Sequence, residues 1–232
     1  MNFLNKLEKK YRKYAIPNLM YYIVMLYGAG LVIQLFAPMA YWRFLSLDIG
    51  ALMHGQIWRL VTFIIYPPTM GTFVFDSVFF GIISLFLYYS LGVTLERVWG
   101  AFRFNVFFLM GMVGEILAAL VSYFVFHQNL YVTTGFLNFS LFLAFAICFP
   151  DVQFYLFMVI PVKAKWMAIA ESAVYVYSFL VGSASTRCEI VLSLANVILF
   201  FLMTRNYSRI NPKEIHRKKQ FKQQTKIRMP GQ

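Results

Sequence analysis

Long continuous apolar runs separated by short polar connections dominate this chain. Such a run needs about 20 residues to cross the hydrocarbon layer as a helix. Because apolar residues follow one another without alternating with polar ones, the pattern excludes a β-barrel. It predicts an all-α integral membrane protein, a bundle of six helices whose spans lie near residues 18–36, 73–95, 102–126, 131–149, 166–182 and 188–203.

The connection after the first run, residues 37–71, is long and not simply polar. Its second half carries a short apolar piece that ends at Pro67 and Pro68. A piece of about ten residues is too short to span a bilayer but suits a re-entrant or interfacial position. The pattern therefore predicts a first loop that is partly embedded in the membrane.

A second break follows the fourth run. Residues 151–165 are apolar, but Pro161 interrupts them and Lys163 and Lys165 close them. The interruption predicts a hairpin at the inner face of the membrane.

Composition agrees with a membrane protein: 60% of the residues are hydrophobic and 13% are charged. A soluble domain has about 45–50% apolar and about 25% charged residues. The formal charge of +12 does not indicate nucleic-acid binding, because the cations concentrate at the two ends of the chain. We therefore divide the chain into a basic N-terminus at 1–17, a transmembrane domain at 18–204 and a basic tail at 205–232.

Charge asymmetry orients the bundle. With both termini cytoplasmic, only Arg43, Arg59 and Arg187 face outward. The positive-inside rule favours this arrangement. We expect the tail to lie near anionic lipid headgroups and the host membrane to be a bacterial plasma membrane. The inner segments hold the tail and Lys6, Lys9, Lys10, Arg12, Lys13, Arg97, Arg103, Lys163 and Lys165.

Four short motifs resemble those of the rhomboid family of membrane proteins. GQIWRLVT resembles the family's tryptophan–arginine motif in the first loop, and LERVWGAFRF resembles its leucine–glutamate–glycine junction between spans two and three. CFPD and IPVKAKW resemble the connection after span four. The resemblance implies a six-helix bundle with structural roles for Trp58, Arg59, Glu96, Gly100, Pro150 and Pro161.

The catalytic residues of the family are missing. Active rhomboids carry a nucleophilic serine in a glycine-x-serine-glycine motif of span four and a histidine in span six. Here the nucleophile position falls on or near Gly135, or on Leu137 if Gly135 is the first glycine of the motif. Phe80 and Ser84 stand near the family's polar histidine and asparagine of span two, and span six has no histidine.

The three histidines, His54, His127 and His216, lie in a loop, at a helix end and in the tail. A serine hydroxyl attacks an amide only when a base accepts its proton. A non-standard dyad would need Ser140, or one of the threonines that precede it with His127 as base. Two cysteines and three scattered histidines give no zinc spacing, so we expect neither a metal nor a cofactor.

Polar residues inside the spans suggest interhelical contacts. Asn138 and Asn196 are candidates for an amide pair that replaces the catalytic pair, with Ser140 and Ser193 as small neighbours. The alternative is that each asparagine serves a separate local site. Glu115, near the middle of the third run, is either a neutral group bonded within the bundle or part of a proton or ion pathway.

These observations favour a rhomboid-like pseudoprotease that binds a transmembrane client protein near spans two and five, as inactive rhomboids and derlins do. The partners expected are the lipid bilayer, the client helix and anionic headgroups, with no nucleic acid. Two alternatives stay open: an active rhomboid protease with a non-standard dyad, and a small transporter that uses Glu115.

Overall fold

The computed structural model describes residues 3–66, 74–129, 132–156 and 160–208 of the chain, and this part is mostly helical. The predicted start of span four at 131, His216 and the tail beyond residue 208 lie outside the described residues. Within them, four helices are long and apolar enough to cross a membrane: Leu19–Phe36, Phe79–Trp99, Ala101–Phe126 and Ala184–Met203. These helices indicate an integral membrane protein in contact with the lipid bilayer.

The elements follow the apolar runs in order. The N-terminal half contains α1 (Phe3–Tyr11), a 3-10 turn (Arg12–Tyr14), α2 (Leu19–Phe36), α3 (Pro38–Ala40), a π-helical turn (Tyr41–Leu45), α4 (Ile49–Met53), α5 (Arg59–Thr62) and a second 3-10 turn (Phe63–Ile65). The rest contains α6 (Val74–Trp99), α7 (Ala101–Phe126), α8 (Gly135–Cys148), β1 (Gln153–Leu156), β2 (Ile160–Lys163), α9 (Ala164–Val181) and α10 (Ala184–Ser208).

Helix α8 lies at the centre of the bundle. It packs against α6, α7, α9 and α10, and nine of its fourteen residues are buried. It is shorter than the apolar run 131–149, because Thr133 and Thr134 precede its first turn. A buried helix that is apolar on all sides needs no amphipathic pattern, which explains why the run reads as continuously hydrophobic.

The segment after α8 adds one short pair of strands to the otherwise helical fold of the described residues. Strands β1 and β2 pair in antiparallel register with Tyr155 opposite Pro161, so the expected hairpin is a small sheet. Proline is tolerated in this two-stranded hairpin because both strands are edges. Asp151 accepts hydrogen bonds from Lys163 at 3.2 Å and Lys165 at 3.4 Å, and these ammonium groups lower the pKa of its carboxyl.

Two helix pairs frame α8. Helices α7 and α10 run antiparallel and meet at three levels: Ser122 with Ser185, Gly111 with Asn196, and Phe107 with Phe200. Helices α2 and α6 meet through two glycines of α6. A Cβ atom at Gly92 would overlap the Met20 side chain, and one at Gly81 would overlap Leu31. Small residues therefore set the closest approaches, as is common in membranes.

Candidate functional site

The polar centre of the bundle forms around the start of α8. The Thr134 hydroxyl donates to the Tyr66 carbonyl oxygen at 2.8 Å. The Asn138 amide donates to the Thr134 oxygen at 3.1 Å, and its Oδ1 accepts from the Tyr27 hydroxyl at 3.0 Å. These bonds connect α2, the first loop and α8 in one continuous chain. Because Tyr27, Thr134 and Asn138 are buried, the chain satisfies groups that would be costly in hydrocarbon.

A second set of polar contacts joins α8 to α10. The Ser193 hydroxyl donates to the Phe136 carbonyl oxygen at 3.0 Å. The Asn196 amide approaches the Ser140 oxygen at 3.5 Å, the outer limit for a hydrogen bond. Ser140 itself donates to the Leu137 carbonyl oxygen of its own helix at 2.7 Å. The candidate polar residues of α8 and α10 therefore do meet, but Asn196 contacts Ser140 rather than Asn138.

The expected amide pair between Asn138 and Asn196 does not form. Asn138 is hydrogen-bonded to Tyr27 of α2 and to Thr134 just before α8, whereas Asn196 reaches α8 at Ser140. The two asparagines serve different interfaces. The alternative hypothesis, in which each asparagine bonds within a separate local site, agrees with this geometry.

The positions that the rhomboid resemblance would assign to a catalytic pair, Gly135 or Leu137 and their expected partners, carry no nucleophile–base pair. Gly135 is exposed at the start of α8, and Leu137 is buried in its first turn. Phe80 and Ser84 are half-buried on α6. Neither Gly135 nor Leu137 has a side-chain atom that could attack a carbonyl.

The two described imidazoles lie away from the span-four hydroxyls. His54 Nδ1 is 2.7 Å from the Gly50 carbonyl oxygen, and His127 is exposed at the end of α7 with a left-handed backbone, φ 51°. The Thr134 and Ser140 hydroxyls both donate to carbonyl oxygens. Among the described residues, no serine or threonine of the bundle centre is therefore hydrogen-bonded to a general base.

Glu115 lies buried on α7, beside the start of α8. Its carboxyl interacts with the Leu137 backbone and, electrostatically, with the buried Glu189 of α10. Its Oε2 atom has no hydrogen-bond partner within the described part of the chain. An acid in this position is expensive in hydrocarbon and is a candidate for proton binding.

A polar cluster at the end of α7 was not anticipated from the sequence. The Ser122 hydroxyl donates to the Ser185 hydroxyl at 2.6 Å, and Ser185 donates to Gln128 Oε1 at 2.6 Å. Single serines at helix ends carry no sequence signal, because serine is common in loops and at helix termini. Tyr27 was missed for a related reason: a tyrosine in an apolar run resembles an interfacial anchor.

Arg59 organises the first loop. The side chain is only 3% exposed, and its guanidinium donates to the Ser46 carbonyl oxygen at 2.7 Å, to the Arg43 carbonyl oxygen and to Gln56 Oε1 at 2.7 Å. Trp58 stays half-exposed and donates from its indole nitrogen to the Phe44 carbonyl oxygen at 3.1 Å. Backbone carbonyls that lack helical partners thus find donors within the loop.

The loop is also tied to the connection between α7 and α8. Asn129 donates to Asp48 Oδ1 at 2.8 Å, and the Val132 amide donates to the Leu47 carbonyl oxygen at 3.3 Å in an isolated antiparallel bridge. Together with the Thr134–Tyr66 hydrogen bond, these contacts hold the first loop against the start of α8.

The junction between α6 and α7 depends on two residues. Gly100 has φ 85°, a conformation that favours glycine, and its amide donates to the Glu96 carbonyl oxygen at 2.8 Å. The Glu96 carboxylate accepts from the backbone N–H of Asn18 at 2.7 Å and so fixes the start of α2. Pro150 occupies the turn after α8, where its carbonyl oxygen accepts from the Lys165 amide at 3.2 Å.

We call the side of the bundle between α6 and α9 the open side, because these two helices make few contacts with one another there within the described residues. These two helices are not packed along their lengths within the described residues, whereas α9 packs against α8 and α10. Glu171 of α9 is half-buried there, within electrostatic range of Tyr88 of α6 and of Tyr175. Tyr175 stacks on Phe139 of α8 with ring centroids 4.0 Å apart, and this contact holds α9 to the centre.

Comparison with known proteins adds no assignment. No family model, curated protein or solved structure matches this chain. Within the described residues, no group of three or more histidine, cysteine, aspartate or glutamate side chains could hold a metal ion. Three features define the candidate site: the hydrogen-bonded polar centre around Asn138, the buried Glu115, and the open side between α6 and α9.

Proposed function

We propose that this chain is a rhomboid-like pseudoprotease of a bacterial plasma membrane, with both termini cytoplasmic, and that it binds transmembrane client helices without cleaving them. One observation carries the proposal: the Thr134 and Ser140 hydroxyls donate to carbonyl oxygens, and within the described part of the chain neither is bonded to an imidazole. A hydroxyl without a base is too weak a nucleophile for amide attack.

The helix order supports the proposed family. A first helix, a partly embedded loop organised by Arg59, and then α6, α7, α8, α9 and α10 follow the order that the rhomboid resemblance implies. A short central helix surrounded by the others fits a bundle of six. The residues that carry the resemblance, Trp58, Arg59, Glu96 and Gly100, make structural contacts rather than catalytic ones.

The open side between α6 and α9 is the proposed client site. Helix α9 exposes several apolar side chains, among them Ile169, Val174 and Tyr177, each more than half exposed. A passing helix would contact this surface and reach the half-buried Glu171. Binding there needs no water-filled catalytic pit.

The test combines crosslinking with a search for cleavage. A photoactivatable residue at Ile169 or Val174 in the full chain, expressed in bacterial membranes with a tagged single-span reporter, should trap the reporter at full length. Val32 of α2, also about half exposed, is the matched control position. Equal crosslinking from Val32 would contradict a specific site. A shortened reporter, or fluorophosphonate labelling lost on one serine or threonine substitution, would instead establish the active protease.

A second candidate function, ion or proton transport, rests on Glu115. Its unpartnered carboxyl oxygen and its proximity to Glu189 are the features that favour it. Proton flux into vesicles containing the purified chain, lost in Glu115→Gln and kept in Glu8→Gln, would support transport. Absence of flux above protein-free vesicles would reject it.

A further inference from the structure

A cleft between α2 and α6 combines an apolar groove with a polar pocket. The groove has a volume of about 260 Å³ and is lined by Tyr21, Val24, Met25, Leu85, Phe86 and Tyr89. The pocket has a volume of about 250 Å³ and is lined by Asn18, Tyr89, Val93, Glu96, Arg97 and Ala101. Tyr89 borders both spaces, so the groove and the pocket adjoin.

The lining follows one face of α6. Leu85, Tyr89, Val93 and Arg97 are spaced four residues apart, which places them in one row along the helix. Leu85 and Arg97 are about 18 Å apart along the helix axis. Because the hydrocarbon layer is about 30 Å thick, the cleft is long enough to extend through the acyl layer of one leaflet.

The polar end of the cleft lies where α2 begins and α6 ends. Glu96 Oε1 accepts a hydrogen bond from the backbone N–H of Asn18 at 2.7 Å, and Glu96 Oε2 is buried. The Arg97 side chain is exposed and makes no hydrogen bond or ion pair within the described part of the chain. The charge that the pocket presents to a ligand is therefore that of the guanidinium, whose planar set of donors suits a phosphate group.

The apolar end of the cleft is accessible from the bilayer. Tyr21 is 50% exposed, Met25 61% and Phe86 73%. A cation at one end and an apolar lining along the rest match an amphiphile, which has a charged head and a hydrocarbon tail. A transmembrane helix would need a groove through both leaflets, whereas the lining of this cleft on α6 ends at Leu85.

We propose that this cleft binds one anionic phospholipid, with its phosphate group on Arg97 and an acyl chain in the groove between α2 and α6. Basic pockets between membrane helices bind anionic headgroups in this way. The site uses no residue of the basic tail. It is formed by α2 and α6, whereas the proposed client site lies between α6 and α9, so the inference does not depend on the proposed function.

A photoactivatable residue at Phe86 tests the site with the full chain in vesicles of equal parts phosphatidylcholine and phosphatidylglycerol. Mass spectrometry of the trapped lipid gives the ratio of the two phospholipids beside the groove. Ile198 of α10 is the matched control position, because it is 57% exposed and does not line the cleft. Phosphatidylglycerol should be enriched about 5-fold at Phe86 over the ratio at Ile198, the factor that about 1 kcal/mol per basic residue gives.

Variants assign the enrichment to Arg97. Arg97→Gln should abolish it, and Arg97→Lys should keep most of it because the charge remains. Lys165→Gln removes the same charge outside the cleft and should leave the enrichment unchanged. Equal ratios at Phe86 and Ile198, enrichment that survives Arg97→Gln, or no phospholipid trapped at Phe86 would overturn the proposal.

Two further outcomes would identify a different occupant and would also overturn the proposal. Trapping of a protein at Phe86 in place of lipid would show that another helix or a second copy of the chain fills the cleft. Loss of the enrichment in excess inorganic phosphate, at constant ionic strength, would show a site for free phosphate. We expect the lipid to stay bound under that condition, because its acyl chain is held by the apolar groove.

Discussion

Arg59 keeps a permanent charge inside the first loop by surrounding it with acceptors. Its planar guanidinium donates in several directions at once, to two backbone carbonyls and to Gln56. The same bonds give donors to backbone carbonyl oxygens in an irregular segment, where few of them are paired within a helix. The buried guanidinium and the unpaired carbonyl oxygens satisfy each other. Burying either group without the other would cost free energy.

Replacing Arg59 with alanine should therefore unfold the loop more readily. Each buried acceptor left without a donor costs about 1–3 kcal/mol. We therefore expect the free energy of unfolding to fall by about 3 kcal/mol. Unfolding in detergent and proteolysis of the first loop would measure it. Arg43→Ala is the matched control, since the Arg43 side chain is exposed in the same loop. Equal destabilisation by the two variants would contradict the role assigned to Arg59.

The polar chain at the start of α8 makes a prediction about energetic coupling. Tyr27→Phe and Asn138→Ala should be coupled by about 0.6–1.7 kcal/mol in a double-mutant cycle, because the two side chains share a 3.0 Å hydrogen bond. Asn138→Ala and Asn196→Ala should instead add within about 0.5 kcal/mol, because they bond to different partners. Coupling of the asparagines, without coupling of Tyr27 to Asn138, would contradict this network.

At the scale of helices, the packing of α2 on α6 depends on Gly92. Substitution to valine would place atoms in the space of the Met20 side chain, whereas Gly28→Val meets nothing within 4 Å. Overpacking in a tight contact costs about 1–3 kcal/mol. We expect Gly92→Val to lower the thermal midpoint in detergent and to reduce disulfide trapping between introduced cysteines on α2 and α6. Gly28→Val should change neither, so a loss of similar size in both variants would exclude a packing effect.

Helix positions were largely predictable from the apolar runs, but helix ends and partners were not. Hydrophobicity marks where a chain is buried in lipid or protein, so the runs coincide with α2, α6, α7 and α10. It does not show that α8 begins only after Thr133 and Thr134, because Thr134 is held by a hydrogen bond to Tyr66 in the distant first loop. Asn138 and Asn196, the candidate interhelical contacts, are both buried, but sequence spacing does not show which neighbour each one faces.

At the scale of the whole molecule, the number of crossings can be measured with single cysteines. In a background without Cys148 and Cys188, the variants Tyr14→Cys, Asn129→Cys, Tyr155→Cys and Ser183→Cys place thiols at exposed positions. With six crossings and a cytoplasmic N-terminus, an impermeant maleimide should label positions 129 and 183 on intact cells. Positions 14 and 155 should react only after permeabilisation. Labelling of Tyr155→Cys from outside would mean that α8 and α9 do not each cross.

The fourteen residues of α8 span about 21 Å, less than the hydrocarbon thickness of about 30 Å. While the chain is being synthesised, α8 therefore leaves the insertion machinery as a segment too short to settle in lipid alone. Its buried Asn138 and Ser140 have partners on earlier and later parts of the chain, at Tyr27 and Asn196. Chains released before α10 is complete should consequently be recognised by quality-control proteases, because they lack Asn196 as a partner for α8.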